Sequence, residues 1–253
     1  MKIIISPAKK MVVDQDAFPV LTQAVMLEQA RILADFLKSR TAKELKEIWE
    51  ASDRIVAQGQ KQLEQLDFER QLTPAIMSYQ GIQYQYMAAD LLSKEALDFL
   101  QEHVRILSGL YGILRPFDGV QPYRLEVKNK VAGFQDGNLY HFWAGQVADE
   151  LFKDETTIIN LASKEYSRMI APYLTENRKM VTIDFQELKA GKWKTVGVHA
   201  KMARGEMTRF ICQNQIDSLD GLKDFNDFAF SYNEEESSED NYVFRTDFDF
   251  TRK

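Results

Sequence analysis

Residues 105–126 read R-I-L-S-G-L-Y-G-I-L-R-P-F-D-G-V-Q-P-Y-R-L-E, and this stretch decides how the rest of the chain is interpreted. Its three glycines permit tight turns and positive φ, whereas its two prolines fix φ and favour extended backbone before them. The stretch predicts a buried strand with two ordered turns, a rigid segment that holds the guanidiniums of Arg115 and Arg124 near the carboxylate of Glu126. Such geometry suits a polar ligand, and it equally suits a structural Arg–Glu pair.

Two further buried strands are predicted, and each leads into polar residues. The first is the Lys-Ile-Ile-Ile run at 2–5, which precedes Ser6, Lys9 and Lys10, and the second is 156–161, which precedes Ser163. In open α/β sheets, ligands bind beyond the carboxyl ends of the strands. We therefore expect these side chains near a site, with exposed loops as the alternative.

Periodicity and capping patterns give the remaining elements. Helices are predicted within 22–38, 41–66 (as a pair), 93–103, 140–152 and 199–210. Alternation predicts strands at 75–79, 228–230 and 242–250, and a hairpin formed by 180–185 and 195–199. The fold prediction is α/β: one compact domain over residues 1–253, with a mixed central β-sheet flanked by helices.

The net charge of −6 is unevenly distributed along the chain of 253 residues. Residues 217–253 contain 11 acids and 4 bases, so the remaining 216 residues carry a net charge of +1. Residues 160–209 contain 10 Lys/Arg against 5 Asp/Glu. An acidic terminal segment therefore accompanies a body whose charge does not exclude a polyanionic partner.

Several classes of site are not indicated. Nucleotide-binding glycine motifs, H-E-x-x-H, C-x-x-C and G-x-S-x-G are all missing, so we predict neither a cofactor nor a metal site. The one cysteine, Cys212, lies in an apolar run and is expected to pack as a small hydrophobe, with a peroxide-sensing thiol as the alternative. The short apolar run at the start and the lack of a membrane-length segment predict a cytoplasmic protein with no membrane partner.

The candidate site is a set of cations next to predicted turns and strand ends. These are Lys9, Arg115, Arg124, Lys201 and Arg204. The supporting polar groups are Ser6, Tyr123, Asn160, Ser163 and Tyr166, and two carboxylates accompany them, Glu126 and Glu165. Arginine gives bidentate contacts and lysine gives a point charge, so a converged set would suit phosphate. The ligand could be a nucleic-acid backbone or a small phosphorylated or carboxylated molecule.

Five ordered motifs resemble the YaaA peroxide-stress family. They are I-S-P-A-K (5–9), L-S-G-L-Y-G-x-L-R-P (107–116), Q-P-Y-R-L-E (121–126), I-N-L-A-S-x-E-Y (159–166) and A-K-x-A-R-G-x-M-x-R-F (200–210). The resemblance spans essentially the whole chain. It implies a cytosolic bacterial protein that limits damage from hydrogen peroxide by keeping free intracellular iron low.

The resemblance also implies an unusual α/β fold with a positively charged cleft that binds DNA non-specifically. Carried onto this chain, the cleft uses the five cations given above, and a helix–hairpin–helix element lies at 41–66. From the residues alone, 41–66 lacks the glycine-rich hairpin usual in that motif, and an ordinary helix pair is the alternative.

Two functions follow as hypotheses. The first is double-stranded DNA binding during oxidative stress, by backbone contacts whose affinity falls with salt. The second is an enzyme acting on a small anionic substrate, with Glu126 or Glu165 as acid/base and Lys9 as an electrophilic stabiliser. The sequence does not set the oligomeric state.

Overall fold

The computed structural model describes residues 1–14, 16 and 18–250. Its strands are β1 (Lys2–Ile5), β2 (Lys10–Met11), β3 (Thr73–Pro74), β4 (Tyr79–Gln80), β5 (Val104–Ser108), β6 (Gly112–Leu114), β7 (Gly119–Val120), β8 (Thr157–Leu161), β9 (Lys179–Lys189), β10 (Lys192–Lys194), β11 (Ser231–Tyr232) and β12 (Asn241–Thr246). Its helices are α1 (Leu27–Lys38), α2 (Ala42–Trp49), α3 (Asp53–Gln65), α4 (Ala75–Ser78), α5 (Ile82–Met87), α6 (Lys94–His103), α7 (Leu139–Trp143), α8 (Gln146–Leu151), α9 (Lys164–Ser167) and α10 (Gly197–Gln213). Short 3₁₀ turns occupy Ala89–Leu91, Ala171–Tyr173, Asp220–Asp224 and Asp227–Ala229.

One mixed sheet forms the centre of the molecule. Its strand order is β11-β12-β9-β8-β1-β5-β6, and β10 pairs with β9. Strands β12, β9, β8, β1 and β5 are parallel to one another. Strands β6, β10 and β11 pair antiparallel with β5, β9 and β12, respectively. The three isoleucines of β1 are fully buried, as expected for a central strand covered on both faces. The predicted α/β class with a mixed sheet is confirmed.

The first part of the 105–126 stretch forms a β-hairpin at the edge of this sheet. Strands β5 and β6 pair from Ile106–Leu114 to Ser108–Gly112, and Gly112 has φ of +69°. A β-carbon at Gly109 would lie 2.6 Å from the Leu125 carbonyl oxygen, so only glycine permits this approach. The hairpin turn therefore fixes the position of the backbone that carries Arg124 and Glu126.

The predicted helix pair within 41–66 is present as α2 and α3. The Thr41 side chain accepts a hydrogen bond from the Glu44 N–H while the Glu44 carboxylate accepts one from the Thr41 N–H, as the capping box predicts. Ser52 precedes α3 but makes no capping hydrogen bond through its side chain. A β-carbon at Gly59 would lie 2.6 Å from the Trp49 ring, so the two helices pack closely.

Two predicted strands are wrong because tertiary contacts override local propensity. Residues 75–78 form the helical turn α4, since the Ala75 and Ile76 N–H groups donate to the carbonyls of Asp118 and Pro116 rather than to a strand. Residues 228–230 form a turn in which Phe228 has φ of 54°, and the neighbouring strand begins at Ser231.

Other boundaries are shifted. The hairpin after β9 exists, but β10 ends at Lys194 and α10 begins at Gly197, so the strand predicted at 195–199 is wrong. The helix predicted at 22–38 begins at Leu27, and the one predicted at 140–152 is broken at Ala144, which has φ of 39°. The final strand ends at Thr246 rather than at 250.

Helix α10 packs directly on α5, and this contact positions the site. A β-carbon at Gly205 would lie 2.3 Å from the Gln83 carbonyl oxygen and 3.0 Å from the Met87 nitrogen. The two backbones can approach this closely only because residue 205 has no side chain. Within the part of the chain that the structure describes, no helix is long and apolar enough to cross a membrane.

Candidate anion-binding cleft

A cleft of about 650 Å³ lies beyond the carboxyl ends of β1 and β8. Its lining comes from five separate segments of the chain, which are 6–10, 80–84, 123–128, 163–166 and the α10 residues Lys201 and Arg204. Seven of the lining residues are Lys or Arg and two are Glu. The volume is typical of a ligand site, and the position is the one that parallel sheets reserve for ligands.

The two strand ends are joined to each other at the cleft floor. The Ser163 N–H donates to the Ser6 hydroxyl oxygen at 2.8 Å, and the Ser6 hydroxyl donates to the Ser163 hydroxyl at 3.2 Å. Tyr84 on α5 donates its hydroxyl to the Ser6 carbonyl at 2.9 Å. These bonds tie β1, β8 and α5 into one rigid surface.

A buried hydroxyl network supports the wall that carries Arg124. The Tyr123 hydroxyl lies 2.8 Å from the Tyr79 hydroxyl and 2.7 Å from Ser108 Oγ, which also accepts from the Tyr111 N–H. Burial raises the pKa of Tyr123 to about 12 and raises the pKa of Tyr79 well above its usual value. The network is therefore neutral at physiological pH and orders the backbone around Arg124.

The two carboxylates of the cleft are shared by two lysines. Lys9 Nζ lies 3.0 Å from Glu126 Oε2, and Lys128 Nζ lies 3.4 Å from Glu165 Oε2 and 3.9 Å from Glu126 Oε2. Glu126, followed by Glu165, raises the pKa of Lys128 above its ordinary value. This end of the cleft is close to electrically balanced.

The arginines of the cleft are different, because they have buried atoms with unused hydrogen-bonding capacity. The Nε atoms of Arg124 and Arg204 and the Oε1 atom of Glu165 are buried and lack a hydrogen-bond partner. Burial lowers the pKa of Arg204, and the nearby Asp184 opposes part of that shift. Buried polar groups are normally satisfied, so three such atoms in the lining of one cleft favour a polar ligand there.

Of the sequence-predicted site residues, most line this cleft. Those that do are Lys9, Arg124, Lys201, Arg204, Ser6, Tyr123, Ser163, Tyr166, Glu126 and Glu165. Lys201 and Arg204 are one helical turn apart on α10, which accounts for their shared direction. The five segments converge although they are distant in sequence.

Two predicted residues lie elsewhere. Arg115 Nε lies 3.4 Å from Oδ1 of Asp118, which is 1% exposed, and an Arg115 terminal nitrogen donates to the Gln23 carbonyl at 3.4 Å. The expected pairing of Arg115 with the carboxylate of Glu126 is therefore replaced by a local one. The Asn160 amide donates to Thr182 Oγ1 at 3.1 Å and its oxygen accepts from the Ala162 N–H, so Asn160 joins β8 to β9 below the cleft.

Lys10, which was expected near a site with Ser6 and Lys9, also lines the cleft. Sequence reasoning missed two further cations of the lining, Lys128 and Lys164. Lys164 lies inside the 159–166 motif, and Lys128 follows Glu126 by two positions, so spacing alone offered a signal. It also missed the role of Gly205, because a glycine inside a helix shows its purpose only when the packed partner is known.

Other reactive groups lie outside the cleft. Cys212 is fully buried in α10, and burial raises the pKa of its thiol to about 12, which opposes the sensing alternative. Among the described residues, no cluster of three or more His, Cys, Asp or Glu side chains is arranged to hold a metal ion.

Comparison with known proteins identifies a family that this chain matches. A family model described as peroxide stress protein YaaA matches residues 1–236. The chain is 59% identical over 252 residues to a UPF0246 protein of Lactobacillus helveticus (strain DPC 4571), with all of both chains covered. A UPF0246 protein of Lactobacillus acidophilus is 57% identical over the same length, and one of Lachnoclostridium phytofermentans is 45% identical over 244 residues, covering 96% of each chain.

Proposed function

Because this chain belongs to the peroxide stress protein YaaA family, it has a role in the peroxide stress response, and we propose that it acts there by binding DNA non-specifically in the cleft. The ligand groups are phosphates of the DNA backbone. The proposal includes a cytoplasmic location, and it assigns no base contacts.

The observation that carries the proposal is the pair of half-buried arginines, Arg124 and Arg204, whose buried Nε atoms have no hydrogen-bond partner. Guanidinium is the group best suited to bidentate phosphate binding, and it remains charged even when burial lowers its pKa. Each guanidinium can offer its terminal nitrogens to phosphate oxygens. Lys201, exposed on the same face of α10, supplies a third contact.

The charge of the lining supports the same ligand. Seven cations against two carboxylates leave a formal surplus of five positive charges around the cleft. Since Lys9 and Lys128 are engaged by the two glutamates, the surplus is concentrated on Arg124, Lys201, Arg204, Lys10 and Lys164. Concave surfaces lined by one sign of charge focus the field and attract polyanions.

The test is fluorescence anisotropy with a short labelled duplex, titrated at several salt concentrations between about 50 and 200 mM. We expect affinity to fall steeply with salt for every duplex sequence tested, because each bound phosphate releases counterions. Arg124→Ala should reduce the slope of log affinity against log salt by about 0.9, the value for one lost phosphate contact. Arg70→Ala is the matched control, because Arg70 is exposed and lies outside the cleft lining.

Binding with no dependence on salt would contradict the proposal. An equal loss of duplex affinity for Arg70→Ala and Arg124→Ala would also contradict it. A strong preference for one duplex sequence would also contradict it, since backbone contacts do not discriminate between bases.

We propose the α2–α3 pair as an additional backbone contact, the position expected for a helix–hairpin–helix element. Residues 50–52 connect the helices, and Glu50 adopts a left-handed conformation with φ of 46°. Residues 41–66 contain four Lys/Arg and five Asp/Glu, and the Glu50 and Ala51 N–H groups already donate to the Lys46 carbonyl, so any contact here would use individual cationic side chains rather than net charge. Glu50→Lys should then raise affinity, whereas no change would remove this contact from the proposal.

The physiological part of the proposal is that the protein limits free intracellular iron during peroxide stress. Its support is family membership. The measurement is chelatable iron by electron paramagnetic resonance in cells lacking the gene, complemented with wild type or with Arg124→Ala. If the cleft serves this role, wild type lowers the iron signal and the variant does not.

A second candidate function is catalysis on a small anionic substrate, and one observation favours it. Glu165 has one oxygen 3.4 Å from Lys128 and a second that is buried without a partner, an arrangement that DNA binding does not require. Glu126 or Glu165 would be the acid/base and Lys9 the electrophilic stabiliser. Thermal unfolding with nucleoside monophosphates is the test: stabilisation that Glu165→Gln abolishes and duplex does not compete away would favour an enzyme.

A further inference from the structure

The β9–β10 hairpin projects from the same edge of the sheet as the cleft. Strand β9 runs parallel to β8, and their pairing ends at Asn160–Thr182. Strand β9 continues for seven more residues to Lys189, a distance of about 23 Å at about 3.3 Å per residue. The chain then turns back through β10 and enters α10, which carries Lys201 and Arg204 into the cleft. We call residues 187–194 the hairpin arm.

One face of the hairpin arm carries lysines that form no ion pair with any residue that the structure describes. Lys189 lies directly opposite Lys192, and Lys194 lies opposite Glu187. The Glu187 carboxylate is hydrogen-bonded to His199. In the described part of the chain none of the three lysines forms an ion pair, and Lys189 and Lys192 are both exposed. Like charges directly opposite on a hairpin are destabilising, so this pairing is unfavourable unless an anion lies against it.

The cleft alone does not accommodate a duplex. A space of 650 Å³ is about 9 Å across if treated as a cube, a length that covers only two or three base steps of B-DNA at about 3.4 Å each. Only a few phosphates of one strand fit inside. The rest of a bound duplex must lie against the surfaces that rise from this edge of the sheet, and the hairpin arm is one of them.

We propose that the hairpin arm is a second phosphate-binding surface, continuous with the cleft, on which Lys189, Lys192 and Lys194 contact the nucleic-acid backbone. The inference rests on the proposed DNA binding in the cleft. Its physical basis is the match of a row of exposed lysines without ion-pair partners to a polyanion.

The first test is the double variant Lys189→Ala/Lys192→Ala in the duplex titration. Both side chains are exposed at a hairpin tip, so the fold is expected to be retained, and circular dichroism checks this. The slope of log affinity against log salt should fall by about 1.8, corresponding to two lost phosphate contacts. The matched control is Lys179→Ala/Lys153→Ala: Lys179 is an exposed lysine at the opposite end of the same strand, and Lys153 is also exposed.

The second test needs no substitution. Surface lysines of the wild-type protein are acetylated with and without duplex, and the modified positions are read by mass spectrometry. We expect Lys189, Lys192 and Lys194 to be protected by duplex, and Lys153 and Lys179 to be modified equally in both samples.

The outcomes separate this inference from the proposed function. If Arg124→Ala weakens binding but the hairpin variant has the wild-type slope and its lysines are unprotected, the hairpin arm is not a contact and the cleft proposal stands. If wild type binds no duplex, both fail. If the slope of log affinity against log salt falls equally for the hairpin variant and the Lys153/Lys179 control, the loss reflects the change in total charge and the inference is overturned.

Discussion

Gly205 on α10 and Gln83 on α5 are in backbone contact: a β-carbon at position 205 would lie 2.3 Å from the Gln83 carbonyl oxygen. The residue before Gly205 is Arg204, and Gln83 lines the same cleft. This contact therefore sets the distance between one cationic wall and the rest of the site.

Gly205→Ala should destabilise the protein, because the new methyl group meets backbone atoms that cannot rotate away. Overpacking of this kind typically costs about 1–3 kcal/mol. Gly197→Ala on the same helix is the control, since nothing lies within 4 Å of a β-carbon there and alanine favours helix. Urea unfolding of both variants measures the difference, and equal stability for the two would show that the helices separate without penalty.

Thr41→Ala should lower the free energy of unfolding by about 1 kcal/mol, the usual effect of losing an N-cap side chain. The Thr41 hydroxyl accepts from the Glu44 N–H, and the Thr41 N–H donates to the Glu44 carboxylate in return. The matched variant is Ser52→Ala, which should change stability less because the Ser52 side chain makes no capping bond. A larger loss for Ser52→Ala would contradict this assignment.

Cys212 should be unreactive in the native protein. Its thiol is fully buried and has a pKa of about 12, so the reactive thiolate is scarce at neutral pH. We expect iodoacetamide and hydrogen peroxide to leave Cys212 unmodified under native conditions and to modify it in urea. Rapid native oxidation, detected by mass spectrometry, would restore the sensing alternative.

Alkaline pH should destabilise the fold. Burial raises the pKa of Tyr123 from 10.0 to about 12, so the folded state retains a proton that the unfolded chain releases. The resulting stabilisation is fully present below about pH 10 and is lost as pH rises toward 12. Unfolding free energies measured from pH 8 to pH 12 check the sign, and Tyr123→Phe should have a shallower decline than wild type.

The parts of the fold that could be predicted from sequence are those set by local chemistry. The isoleucines of β1 indicate a buried strand and the Thr41–Glu44 capping box indicates a helix start, because both signals lie in the local sequence. Residues 75–78 do not, because their N–H groups are taken by carbonyls of Pro116 and Asp118, some forty residues away in sequence. Local β-propensity does not reveal hydrogen-bond partners that lie so far away in sequence.

The candidate site also has residues that the sequence predicted and one that it placed wrongly. The residue types and motif positions identified Arg124 and Arg204, and the structure places both at one cleft. Arg115 looked equivalent in sequence, yet it forms an ion pair with Asp118, a buried residue three positions later. Spacing along the chain could not decide which carboxylate each guanidinium would meet.

The central claim is that distant segments converge on one anion-binding surface through Arg124 and Arg204, and the double variant Arg124→Ala/Arg204→Ala tests it most directly. Duplex affinity is measured against salt concentration for the double variant, wild type and Arg70→Ala. We expect a slope lower than wild type by about 1.8 for the double variant and no change for Arg70→Ala. A folded double variant whose slope and affinity equal those of wild type would contradict it.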